Sequence, residues 1–325
     1  MNNFLKLLSI FFTISFLASC SKSKDADYVP LRDYNVQYAA DLDSIDKYIN
    51  THHVDFDANY NVSFSKTTDV TQNIRNQTNI VLKDTMVYQK YTATDSLNYK
   101  VYFIKFREGT QKRPTQVDSI HVAYRGITLT DDQFDNAQTP VWFKIQDVVS
   151  GWSHILPNFH TGTYIPATGS SPTTFDNFGA GVMFLPSGLA YYSNVAGIIP
   201  SYSPIIFSFK LYELQYRDHD GDGILSKDER STSGTNPLTD WTKNPLKYDS
   251  DGDGYANMYD IDDDGDNFLT KTETLKVATD ITATATRTHY PFNPTPTETK
   301  GIPNCGNTDY TTFTRLRKHL DKNCH

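Results

Sequence analysis

Residues 146–162, QDVVSGWSHILPNFHTG, decide how the middle of this chain is read. Val148, Val149, Trp152, Ile155, Leu156 and Phe159 recur within it at the spacing of a helix with one apolar face. The flanking stretches are of another kind. VYFIKFREG (101–109), SIHVAYRG (119–126), VWFKI (141–145), GVMFLP (181–186) and SPIIFSFKLYELQY (203–216) are rich in β-branched and aromatic residues. One short helix on an antiparallel sheet is expected, an α+β fold.

Toward the N-terminus, residues 31–50 place Tyr38, Leu42, Ile45 and Ile49 at helical spacing, with Asp41, Asp43, Asp46 and Lys47 between them. From Val54 to Tyr99 the pattern suggests short strands joined by polar turns, a small extension packed on the next domain with no chemistry of its own. The first residues read as an address. Lys6, an apolar run from Leu7 to Ala18, and Leu17-Ala18-Ser19-Cys20 form a secretory signal. Leu-Ala-Ser-Cys resembles a bacterial lipobox, which implies cleavage before Cys20, acylation of that residue, and a tether running through Lys22 to Asp27. Several acyl chains hold a protein durably on a bilayer, at about 0.8 kcal/mol for each buried CH₂. An ordinary signal peptide with an incidental cysteine is the alternative. The site expected for the protein is the bacterial envelope, at the outer membrane, with the membrane reached only through the lipid.

The chain has 325 residues, 38% of them apolar, and a formal charge of −8. That is enough apolar material for two or three compact units, and the negative balance argues against nucleic acid as a partner. The charge is not spread evenly. Residues 217–273 hold 13 Asp and 2 Glu against 4 Lys and 2 Arg, a net −9. Beyond them, Ala278 to Pro303 reads as a Thr- and Pro-rich extended linker, followed by a helical stretch near Phe313 to Leu320. Cys305 and Cys324 lie 19 apart in a chain sent to an oxidising compartment. A disulfide is expected there, and two free thiols are the alternative.

The ordered set Val122-Ala123-Tyr124-Arg125-Gly126, Phe134-Asp135, Val148-Val149-Ser150-Gly151-Trp152, Leu189-Ala190-Tyr191 and Gly197-Ile198-Ile199-Pro200, followed by Ile206-Phe207, resembles FKBP-type peptidyl-prolyl cis-trans isomerases. It covers roughly a third of the chain. The resemblance implies an FKBP-like antiparallel sheet of five or six strands wrapped around one short helix, with an apolar pocket between them. Trp152 would be the pocket floor, with Tyr124, Phe134, Val148, Val149, Ile199 and Phe207 as walls and Asp135 and Tyr191 at the rim. The backbone N–H of Val149 and the Tyr191 hydroxyl would bind carbonyls of the bound segment. The alternative is that these aromatics are plain core. Three places depart from the family's pattern: Val141 and Trp142 where one aromatic wall is usual, Tyr192 after the pocket tyrosine, and an insertion within residues 163–181.

The acidic segment carries a periodicity that a solvated linker does not need. Asp218, Asp220, Asp222, Ile224, Ser226 and Glu229 fall at positions 1, 3, 5, 7, 9 and 12 of a calcium loop, with Gly223 at position 6. A second loop uses Asp249, Asp251, Asp253, Tyr255, Asn257 and Asp260, and a third Asp262, Asp264, Asp266, Phe268, Thr270 and Glu273, with Asn267 in place of glycine. A hard cation wants six to eight oxygens, supplied here by side chains and by the carbonyls of Ile224, Tyr255 and Phe268. The second and third loops start only 13 residues apart, too close for a helix pair, and the rhythm resembles thrombospondin type 3 repeats. Structural calcium is therefore expected, with no organic cofactor.

The expected layout is a signal peptide (1–19), a lipidated tether (20–30), an N-terminal helix with short strands (31–99), the FKBP-like domain (100–216), calcium repeats (217–276) and a tail with a disulfide (277–325). The function expected is a monomeric prolyl isomerase acting on proline-containing polypeptides exported to the envelope. A non-catalytic chaperone or partner-binding lipoprotein built on the same groove is the alternative.

Overall fold

The computed structural model describes residues 30–92, 95–230, 244–276 and 289–324. Cys20 and its tether lie outside them. Six strands form one sheet in the order β3-β4-β9-β10-β5-β6, antiparallel throughout: β3 (Leu82–Lys90), β4 (Ser96–Arg107), β5 (Ser119–Thr128), β6 (Gln133–Lys144), β9 (Gly179–Leu185) and β10 (Ile205–Gln215). The sheet thus takes its first strand from inside the segment read as an N-terminal extension. β3 pairs with β4 over nine residue pairs, from Leu82 opposite Ile104 to Lys90 opposite Ser96. Its own pattern is mostly polar because only one edge and part of one face are covered.

The short helix α2 (Gly151–Ile155) lies on one face of the sheet. Trp152, Ile155, Leu156 and Phe159 pack there against Val101, Phe103, Ile120, Val122, Met183, Leu185, Phe207 and Phe209. The opposite face is closed by α1 (Tyr34–Thr51), whose Ile45, Tyr48 and Ile49 meet Tyr102, Ile104, Val182, Phe184 and Ile206. Burial on both sides explains why VYFIKF in β4 and GAGVMFL in β9 are continuous apolar runs. Ile45 and Ile49 are almost fully enclosed, and each contributes about 1.5–3 kcal/mol of apolar burial. α1 leads directly into the hairpin of β1 (His52–Phe56) and β2 (Val62–Lys66).

The insertion after α2 forms a small hairpin, β7 (Thr163–Ile165) with β8 (Thr174–Asp176). Its Phe175 ring packs on His121 and Tyr212. Beyond β10 the described residues include three acidic loops and a turn of α-helix, α3 (Thr270–Glu273).

The tail departs from expectation twice. Phe313 to Leu320 is not a helix beyond a single 3-10 turn at Lys318–Leu320, because the segment is held by side chains instead of by its own ladder. Arg315 Nε donates to the Ile302 carbonyl at 2.6 Å, and Arg317 Nη2 to Asn293 Oδ1 at 2.8 Å, with its guanidinium over the Phe292 ring. Residues 289–303, read as linker, fold back so that Tyr290 and Ile302 bury Ile224 of the first acidic loop. Residues 278–288 of that reading lie outside the described ones. Cys305 and Cys324 are joined by a disulfide, their Cα atoms 5.4 Å apart.

Candidate functional site

The face of the sheet that receives α2 is not fully filled at one end. Tyr124, Asp135, Phe143, Asp147, Val148, Val149, Trp152, Tyr191 and Phe207 enclose a cavity of about 410 Å³ there. Trp152 is only 2% exposed, and its ring meets Tyr124 and Phe143 edge-on at 5.7 and 5.5 Å and Phe207 at 5.1 Å. Edge-to-face contacts of this kind fix each ring's tilt, so the walls are rigid. Ile199 lies buried in the same apolar cluster, and Phe134 stands behind the wall, 5.4 Å from Phe207. Gly126 permits that approach, since a Cβ there would lie 2.5 Å from Phe134 Cζ. All nine residues expected for the pocket are thus brought together, seven lining the cavity and two supporting it. A larger, more polar hollow of about 570 Å³ reaches Tyr60, Arg125, Gln133 and Lys210 and shares only Tyr124 with them.

The polar rim has a definite arrangement. The Tyr124 hydroxyl donates to Asp135 Oδ2 at 2.7 Å. Burial first, and then this bond to a carboxylate, push the Tyr124 hydroxyl up to about 12, so it remains a donor at any physiological pH. Tyr191 is raised as well, by burial and by the charge of Asp135.

Two lining residues, Phe143 and Asp147, escaped sequence reasoning. Val141 and Trp142 are the sequence's candidates for the aromatic wall, yet neither lines the cavity: they are 39% and 45% exposed, and Trp142 stacks on His121 at 4.8 Å. An irregularity in the β5–β6 register around Pro140 separates Val122 opposite Val141 from Tyr124 opposite Ala137. A proline has no N–H for the ladder, which fits an irregularity there. The two extra residues keep the alternation of faces, so Phe143, opposite buried Ile120, shares the face of Asp135. Tyr192, a departure that could crowd or extend the rim, adopts φ +50° and lies against Tyr34 and Tyr202. No residue of the β7–β8 hairpin lines the cavity.

The segment between β9 and β10 that carries Tyr191 is gripped by α1. Asp41, buried on the helix, accepts from the Ser187 N–H at 2.7 Å and from its hydroxyl at 2.6 Å. Gln37 Nε2 donates to Asp41 Oδ1 and to the Tyr202 carbonyl. An extension that the sequence left without a role therefore braces the rim.

The three acidic loops share one backbone design. Position 4 is a left-handed glycine in each, Gly221, Gly252 and Gly265, and position 6 is Gly223 (φ +101°), Gly254 (φ +103°) or Asn267 (φ +74°). Asparagine is the side chain that tolerates this region best after glycine, which accounts for the substitution in the third loop. The first aspartate of each loop accepts from the N–H of position 6: Asp218 from Gly223, Asp249 from Gly254, Asp262 from Asn267. The carboxylates of Asp218, Asp220 and Asp222 gather within 4.8 Å of one another, as do those of Asp249, Asp251 and Asp253 and of Asp262, Asp264 and Asp266.

The position-12 residues behave differently. Glu229 and Glu273 are buried with both carboxylate oxygens lacking a hydrogen bond, as is Asp264, while Asp260 Oδ1 accepts from the Asp262 N–H. Burial, then repulsion between neighbouring carboxylates, push Glu229 up to about 10 and Glu273 to about 8. Orphaned buried oxygens of this kind fit a hard divalent cation, which would supply the missing charge. The position-9 side chains are turned to another task. Ser226 Oγ, Asn257 Oδ1 and Thr270 Oγ1 each accept from the N–H of the second residue of their loop, at 3.2, 2.9 and 3.0 Å.

Comparison with known proteins divides the chain in two. Residues 219–301 match the model of a family described as BamM C-terminal. A curated FKBP-type peptidyl-prolyl cis-trans isomerase, FkpA of Aeromonas hydrophila, is 31% identical over 118 residues, which are 35% of this chain and 38% of that protein. The chain thus spans less than two fifths of the length of the relative it matches. Among solved structures, a peptidyl-prolyl cis-trans isomerase of Pseudomonas syringae pv. tomato is 17% identical, with a TM-score of 0.34 over 57% of this chain and 99% of that one. FkpA of Escherichia coli is 22% identical, with a TM-score of 0.30 over 43% and 53%.

Proposed function

We propose that this chain, similar over about a third of its length to FKBP-type peptidyl-prolyl isomerases, is itself a prolyl cis-trans isomerase of the envelope. It would be anchored through acylated Cys20, act on exported proline-containing polypeptides, and be stiffened by calcium held in its C-terminal loops. The observation that carries the reading is the aromatic cavity above Trp152 with Asp135 and the Tyr191 hydroxyl at its mouth.

The chemistry asks for nothing more. Rotation about a peptide C–N bond meets a barrier of about 18–20 kcal/mol because resonance gives that bond partial double character. No covalent bond breaks, so neither nucleophile nor base is needed. The ring of the substrate proline would sit on Trp152 between Tyr124, Phe143 and Phe207. An apolar enclosure disfavours the planar amide, whose charge separation is larger, relative to the twisted form. The Tyr191 hydroxyl and the Val149 N–H would hold the flanking carbonyls while the bond turns. Catalysis of this kind is differential binding of the twisted state. Asp135 fixes Tyr124 by accepting a hydrogen bond from its hydroxyl, which keeps that ring in place as a wall.

Calcium would be held by Asp218, Asp220, Asp222 and Glu229 in the first loop, by Asp249, Asp251, Asp253 and Asp260 in the second, and by Asp262, Asp264, Asp266 and Glu273 in the third. Outside the cytosol, sites with affinities of about 10⁻⁴ to 10⁻³ M suffice for a structural role.

A binding module that holds partners without catalysis is the second reading, favoured by the β7–β8 hairpin, whose Tyr164 and Ile165 are exposed away from the cavity. Exchange of cis and trans Ala-Leu-Pro-Phe peptide, followed by NMR with the chain from Ser21 and calcium present, separates the two. Acceleration that falls in Tyr191→Phe supports the enzyme. A folded, inactive protein supports the binding module.

A further inference from the structure

Asp263 is the second residue of the third acidic loop, in the place that His219 and Ser250 hold in the other two. Its side chain leaves its own loop. It is 1% exposed, and neither carboxylate oxygen has a hydrogen-bond partner. The nearest polar groups relieve it little. The Asn257 amide donates to Ser250 Oγ at 2.8 Å and offsets only a small part of the burial of Asp263, and His319 Nε2 stands 3.9 Å away, too far for a hydrogen bond. Full burial holds that imidazole far below its usual range, at about 3, so it brings no charge.

Asp263 meets two residues of the first loop. One oxygen each from Asp222, Glu229 and Asp263 lie within 4.8 Å of one another, and all three residues are at least 96% enclosed. Asp222 Oδ1 accepts from the Ile224 N–H at 2.7 Å, whereas Asp222 Oδ2 and both oxygens of Glu229 are unpartnered. Among the described residues no Lys or Arg pairs with any of the three. Three buried carboxylates with no counter-charge repel strongly, and burial with that repulsion pushes Asp263 up to about 9. Three oxygens within 4.8 Å of one another share a centre no more than about 2.8 Å from each, close to the Ca–O range of about 2.3–2.6 Å, so a cation there is within reach of all three.

We propose that Asp222, Glu229 and Asp263 together ligate a calcium ion, so that the third loop supplies a ligand to the first. The inference rests on the reading of the loops as calcium sites and adds a residue that the 12-residue pattern does not contain. The ion then joins the loop that leaves β10 to the loop that rests on the tail. Its presence makes the C-terminal segment one cooperative unit instead of three separate sites.

The test is titration of the full chain with calcium chloride by calorimetry, with denaturant unfolding in chelator and in calcium, for wild type, Asp263→Asn and Asp218→Asn. The expected result for Asp263→Asn is at least a tenfold weaker affinity at one site with the others unchanged. Its unfolding midpoint should rise in chelator, where an uncompensated buried carboxyl group has gone, and its gain from calcium should shrink. That opposite pair of shifts separates ligation from a merely structural side chain. Calcium binding weakened by Asp218→Asn but untouched by Asp263→Asn would overturn this inference and leave the loop reading standing. A folded wild-type chain that takes up no millimolar calcium would overturn both.

Discussion

The carboxylate of Asp41 on α1 accepts two hydrogen bonds from Ser187, one from its N–H at 2.7 Å and one from its hydroxyl at 2.6 Å, across 146 residues of chain. Ser187 begins the turn that ends at Tyr191, so a helix on one face of the sheet sets the rim of a cavity on the other. Asp41→Ala leaves the two Ser187 donors and the Gln37 amide without this acceptor and should cost about 2–3 kcal/mol in denaturant unfolding. Isomerisation should fall as well, with Trp152 still buried by fluorescence quenching. Full activity in the folded variant would show that the rim does not need its brace.

Tyr191→Phe removes one donor without changing the cavity's shape. If its hydroxyl binds a carbonyl more strongly in the twisted state, the rate of peptide exchange should drop about three- to tenfold, the worth of one hydrogen bond. Asp135→Asn should have a smaller effect, because Tyr124 can still donate to the amide oxygen. Line-shape or exchange NMR on the same peptide measures both.

Phe143 and Trp142 are neighbours with opposite fates. Phe143→Ala opens the wall 5.5 Å from Trp152 and should lower isomerisation and cost stability, by less than the ~3–5 kcal/mol of a fully buried Phe because the ring is only partly buried. Trp142→Ala removes an exposed ring and should leave isomerisation unchanged. Equal losses in the two variants would mean that the cavity is entered from the Trp142 side.

Chelation should make stability depend on pH in an unusual direction. Without a cation, Asp222 is raised to about 7, Glu273 to about 8, Asp263 to about 9 and Glu229 to about 10, chiefly by burial. The folded chain then keeps protons that the unfolded chain releases above about pH 4. The contribution is fully present below that value and is lost as pH climbs toward 8 and beyond. Urea midpoints in chelator should therefore fall between pH 5 and pH 8. In millimolar calcium they should rise over the same range, because the loaded site needs ionised ligands.

Much of this protein is written locally. The helical spacing of Val148, Val149, Trp152 and Ile155, the strand runs around it, and the glycines of the acidic loops each depend on a few neighbouring residues, so period and turn chemistry reveal them. The nine expected pocket residues come from the resemblance to FKBP-type isomerases, and the structure gathers them around Trp152. What lies beyond is set by contacts between distant segments. Strand pairing decides that Phe143 and not Trp142 faces the cavity: Phe143 lies opposite buried Ile120, and Trp142 opposite His121 on the other face. The union of Asp41 with Ser187 gives α1 its purpose. The meeting of Asp263 with Asp222 and Glu229 turns a residue outside the loop pattern inward. Such pairings depend on how whole elements pack, and no window of sequence contains both partners.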